Sequence, residues 1–268
     1  MRGLSDMEVR QVMETSRVGS TIVSWYVAAD LKSRGSFFSN RHVMAVVMPY
    51  LSSMGLQETV MGWLELLSKQ NSADTDWSYA IFNVFYEFTA AEIRYGGGIN
   101  SALEAFIRVR TLPSMSRRYQ ATQPAAHYLV QWISSHETEL RSSPIPAELF
   151  DRFSSFFNPK SKANLYPPLL ALYHPARPNP EPTLEVIKIR PAHEIRPGNY
   201  RNRLLRMCFK ASEVCLQQER DADARTLLAY ARDLLPDEQN AQHESSEIQG
   251  REIVSSSELA SRLDPSFT

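Results

Sequence analysis

Residues 40–69 carry two successive apolar stripes at helical spacing, joined by a short segment that contains Gly55. The apolar positions of the two stripes are Val43, Val46, Val47, Tyr50, Leu51, Val60, Met61, Leu64 and Leu67. This spacing places the apolar side chains of each half on one face of a helix. Two short amphipathic helices cannot bury their apolar faces alone. The pattern therefore predicts neighbours of the same kind and a stacked array of helices.

The same pattern recurs along the chain. The further helix pairs are predicted at residues 7–17 with 20–33, 77–88 with 99–107, 123–135 with 146–157, and 200–218 with 222–235. Gly35 follows the leading pair and is predicted to be a C-cap. We interpret Gly96, Gly97 and Gly98 as a flexible joint or an extended turn, because a phosphate-binding loop needs a preceding strand and a Lys-Ser/Thr ending. The aromatic face predicted for residues 146–157 is interpreted as core packing.

Eleven of the sixteen prolines lie between Pro144 and Pro197. Because proline lacks the backbone donor that a helix interior needs, residues 174–182 are predicted to form an extended, polyproline-like connector. Residues 184–189 are predicted to be a short extended segment. Beyond residue 237 the chain is rich in Gln, Ser and Glu with few apolar anchors, which predicts disorder.

The predicted fold is all-α, an α-solenoid of antiparallel helix pairs with a Pro-rich connector and a disordered C-terminal tail. The predicted domains are a helical-repeat array over 1–157, the connector over 158–199, a C-terminal helical hairpin over 200–236, and the tail over 237–268.

The sequence has no apolar run long enough to span a membrane and no secretory signal. Asp6, Glu8 and Glu14 interrupt the few N-terminal arginines, so there is no clear mitochondrial transit peptide. The only cysteines, Cys208 and Cys215, would lie two turns apart on one helix, too far for a disulfide. Two buried thiols in an intracellular reducing compartment are the simplest interpretation.

The sequence offers no residues for catalysis, cofactor binding or metal binding. The six histidines are scattered, and no His-Glu-x-x-His, Cys-x-x-Cys or Gly-x-Ser-x-Gly motif occurs. Asp74 and Asp76 precede Trp77 and are predicted to cap the helix that begins there. We therefore predict a non-enzymatic protein without a cofactor, and an uncharacterised enzyme is the third-ranked alternative.

Charge is unevenly distributed. Residues 37–106 contain three basic and seven acidic residues, whereas residues 186–210 contain seven basic residues and one acidic residue. A basic segment suits an anionic partner, and a solvated helix face with a loop is the alternative interpretation. The residues proposed for an anionic-partner surface are Arg108, Arg110, Arg117, Arg118, Arg201, Arg203 and Arg206.

Residues 40–69 resemble a pentatricopeptide repeat without a gap. With His42 as the first residue, Gly55 falls at the turn, and the second-helix pattern falls on Glu58, Val60, Met61, Trp63, Leu64, Glu65 and Leu67. The second unit is similar, with Gly97 at the turn and residues 102–106 like the repeat's second helix, but it has an insertion around residues 90–96. Residues 200–235 resemble a tetratricopeptide repeat.

The resemblance implies an organellar α-solenoid, usually mitochondrial, that binds RNA or supports organellar gene expression and complex assembly. In repeats of this family that recognise bases, a polar residue near the start of the first helix contacts the base. The corresponding positions here are Ala45 in the first unit and Ala80 or Ile81 in the second, and Pro49 is expected to interrupt the first helix. Sequence-specific RNA binding by the usual repeat code is therefore not expected.

Two functions follow from these observations. The first is a scaffold that binds a protein partner in mitochondrial gene expression or complex assembly, with the cytoplasm as the alternative compartment. The second is an RNA-binding pentatricopeptide-type factor of mitochondria.

Overall fold

The computed structural model describes residues 5–69, 77–157 and 164–235. Within these ranges all regular structure is helical and no strand occurs, which confirms the predicted all-α class. The α-helices of the described ranges are α1 (Asp6–Thr15), α2 (Val18–Ala28), α3 (Leu31–Ser39), α4 (Arg41–Ser53), α5 (Gln57–Lys69), α6 (Trp77–Tyr95), α7 (Gly98–Thr111), α8 (Tyr119–Ser135), α9 (Glu137–Ser142), α10 (Ala147–Ser154), α11 (Tyr166–Leu172), α12 (Glu181–Ile189), α13 (Asn199–Gln217) and α14 (Asp221–Leu234). Short 3₁₀ segments occur at Pro113–Arg118 and Ala192–Glu194.

The chain divides into two compact units, Met1–Pro178 and Asn179–Thr268. The described part of the first unit contains α1 to α11, and that of the second contains α12 to α14. The division falls inside the segment 158–199 for which the proline content predicts a connector.

Helix α6 is the centre of the first unit, where it packs against α3, α4, α5, α7 and α8. Its apolar residues cover most of its circumference, and Ile81, Val84, Phe85 and Phe88 are all fully buried. A helix that is apolar on nearly every side has to be surrounded by other helices. Helices α4, α6 and α8 consequently form a row, with α6 in contact with both of the others.

The helix pairs predicted at residues 40–69 and at 77–88 with 99–107 form helices as predicted. Helices α4 and α5 are joined at Gly55, whose φ is +68°, a conformation that glycine adopts without strain. Helices α6 and α7 are joined at the glycine triplet, where Gly98 has a φ of +77°. The insertion around residues 90–96 lengthens α6, which continues to Tyr95.

The third predicted pair corresponds to α8 and α10, with the additional short helix α9 between them. Phe150, Phe153 and Phe157 of the aromatic segment are buried. The Phe153 ring meets that of Phe106 edge-on, with a centroid separation of 5.2 Å. The interpretation of these rings as core packing is confirmed.

The second helix of the leading pair was predicted incorrectly, whereas the first corresponds to α1. The helix predicted over 20–33 ends at Ala28, and α3 begins at Leu31, where the Asp30 carboxylate caps it by accepting a 2.7 Å hydrogen bond from the Ser33 amide. Gly35 lies inside α3 and is not a C-cap. A Cβ at this position would lie 3.1 Å from the Trp77 ring, so this glycine permits close approach to α6.

The prediction that Pro49 interrupts the first helix is also wrong, because α4 runs through it from Arg41 to Ser53. A proline removes one backbone hydrogen bond from a helix. Met48 and Leu51 beside it are fully buried, so packing of α4 outweighs this local cost.

The extended structure predicted for residues 184–189 is wrong, because these residues belong to α12. Pro182 lies in the first turn of α12, where its missing donor is not needed and its fixed φ favours the helix. The Asn179 side chain accepts a 3.0 Å hydrogen bond from the Glu181 amide, and Leu184 and Ile187 are buried. Residues 174–180, also predicted to be extended, contain no helix.

Helices α13 and α14 form the predicted C-terminal hairpin. Cys208 and Cys215 are free and buried in α13, as expected. No helix in the described part of the chain is both long and apolar enough to cross a membrane. The predicted caps Asp74 and Asp76 and the predicted tail over 237–268 lie outside the described residues.

Candidate functional site

A surface cleft of about 570 Å³ lies in the first unit between α6, α8 and α9. Its lining residues are Tyr86, Ile93, Arg94, Tyr128, Gln131, Trp132, Ser135, His136 and Glu139. We call it the α6–α8–α9 cleft. Aromatic walls with a few polar groups are typical of surfaces that bind small molecules or peptide segments.

The cleft continues a series of aromatic rings along the outer side of α6. Tyr79, Phe82 and Tyr86 follow one another at helical spacing, with centroid separations of 5.8 and 5.9 Å. The Tyr86 ring meets Tyr128 of α8 edge-on at 5.6 Å. We call Tyr79, Phe82, Tyr86, Tyr128 and Trp132 the aromatic row. All five rings are accessible to solvent, with Tyr79 54% exposed and the others half-buried.

At one wall of the cleft the rings of Trp132 and His136 stack with a centroid separation of 4.6 Å and an interplanar angle of 7°. His136 Nδ1 lies 3.0 Å from the backbone oxygen of Trp132. Because a carbonyl oxygen only accepts, this contact puts the imidazole proton on Nδ1. The hydrogen bond and the stacking together hold both rings at the start of α9.

Among the lining side chains, the hydroxyls of Tyr86 and Tyr128 and the indole N–H of Trp132 are hydrogen-bond donors on the aromatic rings themselves. Burial raises the pKa of Tyr128, and the neighbouring Tyr86 raises it further while Arg94 lowers it. The Tyr128 hydroxyl therefore stays protonated at neutral pH and remains a donor.

The formal charges around the aromatic row nearly cancel. Arg41 lies over the Tyr86 ring at 5.1 Å from its centroid and forms a 2.8 Å ion pair with Glu87. Arg94 and Glu139 contribute one charge of each sign to the cleft lining. The surface therefore has no net attraction for a polyanion.

The arginines predicted to bind an anionic partner are partly engaged within the fold. Arg108 of α7 donates two hydrogen bonds to the Glu58 carboxylate of α5, one of them 2.7 Å long. Arg110 lies 5.4 Å from the Phe156 ring centroid and donates a 3.2 Å hydrogen bond to Thr122. These two side chains bridge elements of the first unit.

The remaining predicted arginines occupy two separate segments. Arg117 and Arg118 lie in the 3₁₀ segment before α8, where Arg118 is half-buried and the Arg117 side chain is outside the described part. In the second unit, Arg201 donates a hydrogen bond from Nε to the Leu234 carbonyl at the end of α14. Arg203 and Arg206 are exposed on α13.

The positions that contact bases in pentatricopeptide repeats carry residues here that cannot hydrogen-bond a base. Ala45 is exposed but carries only a methyl group. Ala80 and Ile81 are 1% and 0% exposed, so neither can contact a ligand.

A buried polar cluster explains the glycine triplet. Glu92 is fully buried, and its Oε2 accepts hydrogen bonds of 2.6 Å from Gln57 and 2.7 Å from Ser101. A Cβ at Gly96 would lie 2.6 to 2.7 Å from this carboxylate. The cluster joins α5, α6 and α7, which supports a turn function for the triplet and gives no cradle for phosphate.

A carboxylate–histidine pair between Asp151 and His174 is also structural. His174 Nδ1 accepts 3.1 Å hydrogen bonds from the amides of Ala176 and Arg177, so its proton lies on Nε2, which donates to Asp151 at 3.1 Å. A catalytic base needs a ring nitrogen that can reach substrate, and both nitrogens are occupied here. The pair fixes the Pro-rich segment that leads out of the first unit.

The aromatic row was not predicted as a site, because its members look like core residues of amphipathic helices. Across residues 5–69, 77–157 and 164–235, no three His, Cys, Asp or Glu side chains lie close enough to hold a metal ion. Comparison with known proteins finds no family model, no curated protein and no solved structure that matches this chain. Arguments about function therefore rest on the cleft itself.

Proposed function

We propose that the chain is a non-enzymatic helical-repeat scaffold of the α-solenoid type that binds a protein partner at the α6–α8–α9 cleft. The observation that carries the proposal is the aromatic row, five solvent-accessible rings on two adjacent helices that end in a defined cleft. Aromatic residues are enriched in the regions of protein interfaces that contribute most to affinity.

The order of helix contacts supports a solenoid arrangement in the first unit. Helix α6, the first helix of the second sequence repeat, contacts α4 and α8, which are the first helices of its neighbours. Helices α5 and α7, the second helices, contact each other beside that row. Stacked hairpin repeats produce contacts between equivalent helices in this way.

A protein partner is favoured over RNA by charge. Nucleic-acid affinity depends on release of counterions by Lys and Arg. Arg108 and Arg41 are each paired with a carboxylate, and the base-contacting positions of the resembled family carry only Ala and Ile. RNA binding nevertheless has a direct test, since an oligouridine that binds in low salt and dissociates as salt rises would favour the alternative function.

Selection of random displayed peptides on the full chain tests the proposal. We expect enrichment of peptides that bind the wild type and lose at least tenfold in affinity for Trp132→Ala. The matched control is Phe209→Ala, which removes an exposed ring from α13 in the second unit and should leave binding unchanged. Failure to enrich any peptide that depends on Trp132 would contradict the proposal.

The proposed compartment is the mitochondrion, and it rests only on the resemblance to pentatricopeptide repeats. Fractionation of cells that express the tagged chain tests it. Recovery with the cytosol rather than with mitochondria would support the cytoplasmic alternative.

A further inference from the structure

We propose that the ligand of the cleft and the aromatic row is a proline-rich peptide segment in the polyproline II conformation. This inference rests on the proposed function and specifies the chemistry of the partner. Aromatic grooves that carry hydrogen-bond donors are a recurrent way of binding such segments, whose conformation is already formed before binding.

The spacing of the rings fits this ligand. Successive centroids along Tyr79, Phe82, Tyr86 and Tyr128 are 5.6 to 5.9 Å apart. Two residues of a polyproline II helix advance about 6 Å. Because this helix has three residues per turn, residues two positions apart lie on adjacent edges of a three-sided rod, so one such pair of prolines can contact two neighbouring aromatic rings of the row.

The hydrogen-bonding groups fit it as well. The hydroxyls of Tyr86 and Tyr128 and the indole N–H of Trp132 belong to half-buried side chains that line the cleft, so a bound ligand can reach them. A polyproline II segment has no internal hydrogen bonds, and proline contributes a carbonyl acceptor without an N–H donor. The hydroxyl and indole donors of the cleft thus complement the free carbonyl acceptors of such a ligand. An ordinary extended peptide would also present its own N–H groups.

Charge distinguishes this ligand from single-stranded RNA, which also stacks on aromatic rings. Glu87 neutralises Arg41 beside Tyr86, and Arg94 and Glu139 place one charge of each sign at the cleft. A phosphate backbone would be attracted weakly there, whereas a neutral peptide is indifferent to these charges.

Calorimetric titration of the full chain with an acetylated, amidated nonaproline peptide tests the proposal. A Gly-Ser peptide of the same length and a nine-nucleotide oligouridine are titrated in parallel. We expect saturable binding of nonaproline and at least tenfold weaker binding of the other two. Trp132→Ala should weaken nonaproline binding at least tenfold, and Phe209→Ala should change it less than twofold.

Tyr86→Phe and Tyr128→Phe keep the rings and remove only the donors, so they test the hydrogen bonds even if Trp132→Ala unfolds. Each should weaken binding by about three- to tenfold, the usual effect of one hydrogen bond. Absence of nonaproline binding, equal affinities of the Trp132 and Phe209 variants, full affinity in both tyrosine variants, or tighter binding of oligouridine would each overturn the proposal. Selection of Trp132-dependent peptides without proline would overturn this inference while leaving the scaffold function intact. Selection of no such peptide would overturn both.

Discussion

The chemical role of a single side chain in this protein depends mainly on the hydrogen bonds that it makes. His174 is a clear case, because two backbone amides and one carboxylate fix its tautomer and exclude it from acid–base chemistry. The histidine could be found in the sequence, but its partners could not. Asp151 lies 23 residues away in α10, whereas His174 lies beyond the end of α11.

At this scale we expect Asp151→Asn to reduce the pH dependence of stability. The pKa of the Asp151 carboxyl lies below its ordinary value, chiefly because Arg177 donates a hydrogen bond to it, and His174 adds to this effect. A lowered pKa in the folded state gives stability that is present above the ordinary aspartate pKa of 3.8 and is lost as pH falls through the lowered value.

Urea midpoints measured at neutral and strongly acidic pH check this. The wild type should lose more stability on acidification than Asp151→Asn. Asp233→Asn, which removes an exposed carboxylate paired with its neighbour Arg232, is the control for loss of one charge. Parallel pH profiles for wild type and Asp151→Asn would refute the expectation.

The cysteines give a second prediction at the residue scale. Burial raises the pKa of the Cys208 thiol to about 12 and also raises that of Cys215. Only the thiolate reacts with disulfide reagents. At about pH 8, roughly one Cys208 thiol in ten thousand is ionised, so the native chain should react far more slowly than the chain in guanidinium chloride.

Mass spectrometry of the labelled chain resolves the two sites, and Cys208 should be the slower in the native state. Rapid native labelling of Cys208 would show that the thiol is accessible and that its predicted burial is wrong.

At the scale of elements, glycine has opposite roles at different positions of the helices and turns. Gly62 lies on the exposed side of α5, and a Cβ there would meet nothing within 4 Å. Gly96 directly follows the last residue of α6, and a Cβ there would collide with the Glu92 carboxylate. That carboxylate is held by Gln57 and Ser101, so it cannot move without loss of hydrogen bonds.

We therefore expect Gly62→Ala to stabilise the protein by about 0.5–1 kcal/mol, because alanine restricts the unfolded chain and favours the helix. Gly96→Ala should destabilise it by about 1–3 kcal/mol through crowding of a buried polar cluster. Chemical denaturation of both variants measures the difference, and each is the control for the other. Equal effects at the two sites would contradict this account.

The helices themselves were largely predictable, and the exceptions have a physical cause. The apolar period of α4, α5 and α13 is a local property, so their positions follow from the sequence. Helix α12 was predicted as extended, since proline was treated as a helix breaker. A proline in the first turn of a helix favours that helix. Pro182 occupies such a position in α12, which is stabilised by burial of Leu184 and Ile187, and this burial depends on the tertiary structure.

For the whole molecule, the division into two units leads to a further prediction. The large cluster of buried apolar residues extends from Tyr26 to Leu170 and lies entirely within the first unit. A fragment of residues 1–178 therefore contains its own core and should fold alone.

Thermal unfolding followed by circular dichroism checks this prediction, with a cooperative helical transition as the expected result. The fragment 1–163 is the control. It lacks α11 and with it the buried Leu170 and Leu172, so it should melt at a lower temperature. A fragment 1–178 without a cooperative transition would show that the first unit depends on the second.

The sequence alone determined the all-helical class, the hairpins at α4–α5, α6–α7 and α13–α14, and the buried thiols. These properties depend on the local period of apolar residues and on turn glycines such as Gly55, which act over one or two helical turns. They can be found without knowing which helix packs on which.

Only the tertiary structure decided what the surface presents. Tyr86 and Tyr128 form one wall because α6 packs on α8, and Arg108 is paired with Glu58 because α7 lies beside α5. These partners are separated by tens of residues in the chain, and no local pattern specifies them. The aromatic rings that the period assigns to a core are instead shared between the core and an open cleft, because a helix between two neighbours still has one side exposed to water.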